Sequence, residues 1–461
     1  MTNMPFASGW IQDAIFYQIF PDRFANGDPT NDPAGTKPWG SPPTRNNFCG
    51  GDLQGILDHL DHLENLGITA LYLTPIFKAR SNHKYDTCDY LSVDPAFGSN
   101  ELLRQLVDAC HTRGMRVILD AVFNHSGDGF WAFEDLCQHG SASAYADWFF
   151  PGGFPIQQDP PNYQTCGGVG FLPKLNTANP ALRNYLLHVS RYWLEEAHTD
   201  GWRLDVPWKV PLEFWREFRQ IVKTTKPEAY IVGEIWRDPA PWLAGDTCDG
   251  IMNYPLRDAI LDYCVRDTMD AEDFDYVTGC LRQVYGSASP FQMNLLGSHD
   301  TPRLLTICGG NIQRAVLAIT AQFTEVGVPM VYYGDEVGLE GENDPGCRGC
   351  MLWEPQTWNQ TLLDVYHTLI RARRDHPALR SDSFESLKVF NGIYAYRRAF
   401  GEDQVVVVLN PRQVYPNFNL SLAGPQTWLD ILSGQVFYAS EGMLRFDRIS
   451  AQTALVLIPQ S

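Results

Sequence analysis

No stretch of this chain is apolar over the about 20 residues needed to cross a membrane, so no membrane partner is expected. Positive charge is scarce: 35 Lys and Arg stand against 54 Asp and Glu, a net charge of −19. A chain of that sign repels phosphate backbones, which argues against a nucleic-acid partner. Residues Met1 to Trp10 have neither a basic segment nor an apolar core, so no secretory signal is visible there. No tandem repeat and no low-complexity tract occurs, which excludes solenoid and disordered classes. Cysteine is present but unpatterned. The eleven are odd in number and scattered, several among core-like neighbours, as at Cys110, Cys264 and Cys280. Reduced thiols in a cytoplasmic protein fit this better than a disulfide framework. Cys347-Arg-Gly-Cys350 is a lone C-x-x-C, and without a second pair it reads as a loop rather than a zinc or redox site.

What is present can build a large core: 44% of the 461 residues are hydrophobic and 19% charged. The length exceeds one ordinary domain. Ile15–Phe20, Ala70–Pro75 and Arg116–Val122 read as buried strands. Between them, helical spacing of Leu53, Ile56, Leu57, Leu60, Leu63 and Leu66 predicts one helix closed by Gly67. Glu101–Arg113 predicts the next. Strands are also expected at Gly201–Val206, Tyr230–Ile235, Gly250–Tyr254, Phe291–Gly297 and Pro329–Gly334, with helices at Pro180–Ala197, Pro211–Lys223, Asn311–Glu325 and Thr361–Arg374. Eight strands alternating with helices predict an α/β fold, a (β/α)8 TIM barrel. Residues 124–172 break the period and are rich in Gly, Pro and aromatics, so they read as a small inserted domain after strand three. The barrel then comprises 1–123 and 173–377. Beyond His376-Pro377 the helices stop. Val389–Arg397, Gln404–Leu409, Thr427–Tyr438 and Ala454–Ile458 predict a C-terminal antiparallel β-sandwich domain over 378–461.

Barrel enzymes take their catalytic groups from the C-terminal ends of several strands. Four strand ends here carry carboxylates: Asp120, Asp205, Glu234 and Asp300. They come with Asn124, His125, Arg203 and His299. Period-2 alternation places Arg203 and Asp205 on one strand face. Converging carboxylates with hydrogen-bond donors suit acid/base and nucleophilic work at an acetal carbon, where a retaining glycosidase needs one nucleophile and one proton donor. An adjacent cation should hold Asp205 ionised, which suits a nucleophile. Glu234, between Gly233 and Ile235-Trp236, sits in a more apolar setting that suits the proton donor. A cap or loop-anchoring role is the alternative for any single carboxylate. The early loop offers Asn26, Asp28, Asn31, Asp32, Gly50 and Asp52. Turn chemistry and a hard-cation site both fit such a set, and Asp52 also reads as a helix cap.

Four segments resemble the signature regions of the α-amylase superfamily: Asp120-Ala-Val-Phe-Asn124-His125, Gly201-Trp-Arg203-Leu-Asp205, Val232-Gly-Glu234-Ile-Trp236 and Ser298-His299-Asp300. Ser81-Asn-His-Lys-Tyr85, Leu172-Pro-Lys174-Leu-Asn176 and Asp344-Pro-Gly-Cys-Arg348 are similar to its neopullulanase, cyclomaltodextrinase and maltogenic amylase subgroup. The resemblance implies Asp205 as nucleophile, Glu234 as acid/base and Asp300 as transition-state stabiliser. It implies substrate contacts from Tyr85, His125, Arg203, Trp236, His299, Asp344 and Arg348, with Asp120 and Asn124 as supports behind them. It implies structural Ca2+ at Asn26, Asp28, Asn31, Asp32, Gly50 and Asp52, and argues against the calcium site that other α-amylases build where Lys174 stands. The expected activity is retaining cleavage of α-1,4 bonds in cyclodextrins, maltooligosaccharides, pullulan and starch, releasing mainly maltose or panose, with transglycosylation as a further outcome. The alternatives are an α-1,6-debranching enzyme or transglycosylase of the same clan and, remotely, a catalytically silent sugar-binding protein.

Two departures stand out. The barrel begins at residue 15, leaving no room for the N-terminal β domain usual in the subgroup, so monomer and homodimer both remain expected. After the nucleophile comes Pro207-Trp208-Lys209, where the subgroup has a small residue, Asn and Glu. Trp208 would either stack on a sugar on the leaving side or pack on the inserted domain.

Overall fold

Eight short parallel strands close into a barrel in the computed structural model, which describes residues 9–422 and 424–460. They are β1 (Phe16–Ile19), β2 (Ala70–Leu73), β3 (Arg116–Ala121), β4 (Gly201–Leu204), β5 (Tyr230–Ile235), β6 (Gly250–Asn253), β7 (Met293–Leu295) and β8 (Val328–Tyr332). Each pairs with its neighbours in sequence, and β8 returns to β1 through Phe16 opposite Met330. Register across the site-bearing strands sets Asp120 beside Arg203 and Leu204 beside Gly233. Gly201 is required where β4 meets β5, because a Cβ there would overlap the Tyr230 carbonyl.

Strand alternation sorts the core in two. Phe16, Ala70, Tyr72, Ile118, Tyr230, Val232, Met252, Met293, Val328 and Met330 fill the barrel interior. Tyr17, Leu71, Val117, Trp202, Ile231 and Val331 face outward onto the helices. The helices follow the predicted spans closely, with Asn100–Thr112, Pro180–Glu196, Leu212–Thr225, Ile312–Thr324 and Gln360–Asp375. The span from Leu53 to Leu66 is two helices, Leu53–Asp58 and Leu60–Leu66, rather than one. The backbone leaves helical values at His59 (φ −109°, ψ 15°), whose ring bonds back to Gly55 O. Both pieces bury leucines against the same core, so the apolar spacing carries through the break.

Between β2 and β3, Phe77–Ala79 and Thr87–Val93 pair as a small antiparallel sheet that the periodicity did not reveal. Its connection carries His83 and Tyr85. In the segment after β3, a helix over Trp131–His139 is the longest regular element, and isolated bridges join His125 to Lys174 and Thr165 to Pro173.

The C-terminal region is an antiparallel sheet of eight strands: β9 (Glu385–Phe390), β10 (Ile393–Phe400), β11 (Asp403–Asn410), β12 (Tyr415–Ser421), β13 (Thr427–Asp430), β14 (Val436–Ser440), β15 (Met443–Ile449) and β16 (Thr453–Pro459). Their order is β9-β10-β11-β16-β13-β14-β15-β12. The predicted strand Val389–Arg397 is instead a hairpin turning at Asn391-Gly392, both at positive φ, the geometry that tight hairpins require. Thr427–Tyr438 is likewise two strands, because the Asp430 side chain accepts from Leu432 and Ser433 N–H and folds the chain back. Strands β12 and β15 were not expected.

Candidate active site

The inward faces of the barrel strands are apolar at one end and polar at the other. Phe16 leads to Gln18, Tyr72 follows Ala70, Ile118 leads to Asp120, and Val232 leads to Glu234 on the same faces. Arg203 projects from β4 into the middle of this ring and is fully buried. Its Nη1 donates to Asp205 Oδ1 at 2.8 Å and to Asp120 Oδ1 at 2.9 Å, and its Nη2 lies 3.1 Å from Glu234 Oε2. One guanidinium therefore holds two candidate reacting carboxylates and a third beneath them. Removing it would leave buried charges unpaired, at a cost of about 3–5 kcal/mol.

One cation is shared among three buried carboxylates. Burial pushes the Asp205 carboxyl well above the ordinary carboxylate range, outweighing Arg203, with Glu234 and Asp120 adding to the rise. Adjacency to Arg203 thus does not depress Asp205 as the sequence suggested. Asp120 is also raised by burial against Arg203. Asp300 is pushed up to about 7, first by burial and then by Glu234. Burial thus raises Asp205, Asp120 and Asp300 together.

The remaining atoms of these groups differ in availability. Asp205 Oδ2 is buried without a partner and its residue lines the cavity. Both Glu234 oxygens are engaged: Trp236 Nε1 donates to Oε1 at 2.8 Å, and Val206 N–H donates to Oε2 at 2.8 Å. Trp236 stacks on Tyr254 at 3.6 Å between ring centroids. It contacts Glu234 directly and is 37% exposed.

Asp120 accepts from Tyr72 at 2.7 Å and from Tyr85 at 2.9 Å, and so supports the floor. Tyr85 stacks on His299 with rings 11° apart. With the Gln18 amide donating to His299 Nδ1 at 2.8 Å, the imidazole proton sits on Nε2, 2.7 Å from Tyr85 OH and 3.2 Å from Asp300 Oδ2. Burial, with Arg348 and Arg203 nearby, holds His299 far below its usual range, and burial brings His125 to about 4. Both rings are neutral donors and acceptors. Asn124 Nδ2 meets His125 Nδ1 at 3.1 Å, and His125 Nε2 is buried without a partner. Arg348 binds His299 O through Nε at 2.9 Å, Asp344 through Nη1 at 2.9 Å and Asp300 through Nη2 at 3.5 Å.

Asp205, Glu234, Asp300, Tyr85, His125, His299, Asp344 and Arg348 all line one cavity of about 570 Å3. Gln18 and Tyr72 escaped the sequence reading although alternation from Phe16 and Ala70 points to them. Arg45, Phe48 and Phe171 also line the cavity, and they come from irregular segments with no periodic signal. Cys347 and Cys350 are buried, and all eleven cysteines are free. Cys347 Sγ meets His299 O at 3.2 Å, so the C-x-x-C is part of the loop beneath Arg348. Trp208 lies on the 3-10 turn Pro207–Lys209, 44% exposed and outside the cavity lining. Lys174 Nζ donates to Lys209 O at 3.0 Å, which ties that turn to the segment after β3 with an ammonium.

In the early loop, Asp52 caps the Leu53–Asp58 helix. Its two oxygens accept from Gly27, Asp28 and Gly55 N–H and from the Asn31 amide. Asp28 accepts from Thr30. Asn26 Oδ1 and Asn31 Oδ1 are buried without partners. A Cβ on Gly50 would overlap both Asp32 and Asn26, so these three crowd together, and burial raises the Asp32 carboxyl. Orphaned amide oxygens beside a carboxylate fit a hard cation. Among the described residues there is no group of three or more His, Cys, Asp or Glu placed to hold a metal.

A parallel barrel with three carboxylates gathered on one guanidinium at the C-terminal ends of its strands carries the groups of a barrel glycoside hydrolase. The model of the α-amylase catalytic domain matches residues 18–381, and the chain belongs to the α-amylase family. Within it the chain groups with cyclomaltodextrinases, neopullulanases and maltogenic amylases. It is 48% identical over 439 residues to a cyclomaltodextrinase of Geobacillus thermopakistaniensis, covering 94% of this chain and 75% of that one. Among solved structures it is similar to a cyclic α-maltosyl-(1→6)-maltose hydrolase from Arthrobacter globiformis, at 42% identity and TM-score 0.90 over 98% of this chain and 100% of that one. It is also similar to a debranching enzyme from Nostoc punctiforme, at 36% identity and TM-score 0.88 over 99% and 100%. The protein is an α-glucan-acting glycoside hydrolase.

Proposed function

We propose that this enzyme hydrolyses short and cyclic α-glucans by double displacement, with the α-1,6 bond between maltosyl units as its primary target and α-1,4 bonds second. The observation that carries the mechanism is the unpartnered Asp205 Oδ2 in the cavity while Oδ1 is fixed by Arg203. Asp205 Oδ2 attacks the anomeric carbon as the bond to the glycosidic oxygen breaks and Glu234 gives that oxygen its proton. Water then attacks the glycosyl ester, Glu234 takes the water's proton, and Asp205 is released. Asp300, His125, His299 and Arg348 hold hydroxyls of the ring being cleaved, and Tyr85 offers it an aromatic face. Arg203 keeps the two carboxylates at a fixed spacing, and Asp120 and Asn124 support Tyr85 and His125.

The preference for α-1,6 bonds is supported by the likeness, over essentially all of both chains, to proteins named for cyclic maltosyl-(1→6)-maltose hydrolysis and for debranching. The second reading, cyclodextrin opening at α-1,4 bonds, is supported by the 48% identity to a cyclomaltodextrinase. Rates on cyclic maltosyl-(1→6)-maltose, β-cyclodextrin, pullulan and starch decide between them. The first reading expects kcat/KM highest on the cyclic maltosyl-maltose and maltotriose from pullulan. Highest kcat/KM on β-cyclodextrin with panose from pullulan would establish the second. Structural Ca2+ at Asn26, Asn31, Asp32 and Gly50 belongs to the same proposal, with Asp52 and Asp28 shaping the loop around it. Eleven free thiols support a cytoplasmic setting.

A further inference from the structure

A second cavity, of about 560 Å3, opens beside the early loop. Trp39, Trp353, His59, Pro38, Lys37 and Asp32 are among its walls. Adjacent residues divide it from the active site: Phe48 lines the catalytic cavity and Cys49 the second. The indoles are fixed in place. Trp39 Nε1 donates to Met351 O at 3.0 Å, and Trp353 Nε1 donates to Phe24 O at 2.6 Å. The Trp353 ring lies 3.8 Å from that of His59. Lys37 N–H donates to Phe48 O at 2.8 Å and holds the loop that carries Trp39.

Both indole N–H groups are thus taken by backbone carbonyls, so the indoles offer the cavity only ring surface. Trp39 is anchored yet 36% exposed. Hydrogen-bonding residues line the cavity: Thr36, Lys37 and His59, whose Nδ1 is bound to Gly55 O and whose Nε2 is its remaining polar atom, while Asn26 and Asp32 on its wall are bonded to each other and belong to the proposed cation loop. A fixed apolar ring among groups that bond hydroxyls matches a pyranose, which has an apolar C–H face and a polar rim.

We propose that this cavity is a second α-glucan-binding site that holds a glucosyl unit of a substrate chain outside the catalytic cavity. The proposal rests on the α-glucan reading above. Met351 and Trp353 follow Arg348 in one loop, so the site shares a wall with the catalytic cavity and would favour chains long enough to reach both.

The test uses the full-length Glu234→Gln protein titrated with maltotriose, with and without Trp39→Ala, by calorimetry and by NMR. Two classes of site are expected, reduced to one by Trp39→Ala. In the active enzyme, Trp39→Ala should raise KM for soluble starch by about threefold to tenfold while leaving kcat and KM on maltotriose unchanged. Lys37→Ala, which removes no anchor, should move the starch KM in the same direction and guards against a folding defect. A single class of site that is insensitive to Trp39 overturns this proposal alone. Displacement of the second ligand by adenosine at lower concentration than by maltotriose also overturns it, in favour of a planar-ring site. Absence of saturable maltotriose binding anywhere overturns the α-glucan reading with it.

Discussion

The backbone N–H of Val206 donates to Glu234 Oε2 at 2.8 Å, so the residue that follows Asp205 is bonded directly to the carboxylate of the neighbouring strand. Val206 holds φ 35° and ψ 49°, a left-handed conformation unfavourable for a β-branched residue and more so before Pro207. Strain of this kind costs about 1–3 kcal/mol and persists where surrounding structure enforces it. Here the enforcing contacts are Glu234 on one side and the Lys174–Lys209 bond on the other. Val206→Gly removes the strain, so it should raise the unfolding temperature while lowering kcat, because the Asp205–Glu234 geometry loosens. A thermal scan with steady-state rates checks both. A lower unfolding temperature would show that the turn is not strained.

Glu234→Gln and Asp205→Asn should each lower kcat by about 10² to 10⁴ on maltooligosaccharides. Trp236→Phe keeps an aromatic ring against Tyr254 and deletes only the N–H that reaches Glu234. Loss of one hydrogen bond, about 0.5–1.5 kcal/mol, predicts a fall in kcat of about twofold to tenfold with little change in stability. Near-wild-type turnover in Trp236→Phe would place the indole outside the acid's machinery.

The pH dependence of stability follows from Asp300. Its folded pKa of about 7 lies above the about 3.9 of an unfolded aspartate. The folded state therefore binds the proton more tightly, and this stabilising contribution is complete below about pH 3.9. It is lost as pH rises from there through about 7. Asp335, buried beside Arg303 and also at about 7, acts in the same direction. Asp300→Asn removes its share of the loss. Its unfolding temperature relative to wild type should climb from pH 4 to pH 7 and level off above. A constant difference across that range would contradict a raised Asp300.

Chelation separates the early loop from the chemistry. EDTA should lower the unfolding temperature while leaving room-temperature kcat unchanged, because Asn26, Asn31 and Asp32 do not line the catalytic cavity. Asp32→Ala and Asn31→Ala should each abolish the EDTA effect. Immediate loss of activity on chelation would mean the cation takes part in the reaction.

Much of the site was legible because barrel strands present alternate residues inward. Arg203 with Asp205, and Asp120 and Glu234 on neighbouring strands, each fall at the polar end of an apolar run, and the same alternation would have yielded Gln18 and Tyr72. Less legible was anything set by turns. The Asn391-Gly392 hairpin carries a two-residue signal inside a continuous β-rich run, and the break at His59 sits inside an unbroken leucine pattern. Arg45, Phe48 and Phe171 come from segments whose position depends on long-range bonds, such as Arg23 Nη2 to Asn47 O, which no local pattern encodes.

By itself the sequence determined the barrel, the identity of the carboxylates and the family, because strand periodicity and residue type are local properties. The tertiary structure alone decided what those groups do to one another. Whether Asp205 is depressed by its neighbour Arg203 depends on how many other carboxylates share that guanidinium and how little water reaches them. Asp120 and Glu234 lie 83 and 31 positions from Arg203 along the chain; across the strands they meet that one cation. Electrostatic energy depends on distance and burial in space, and sequence spacing carries neither.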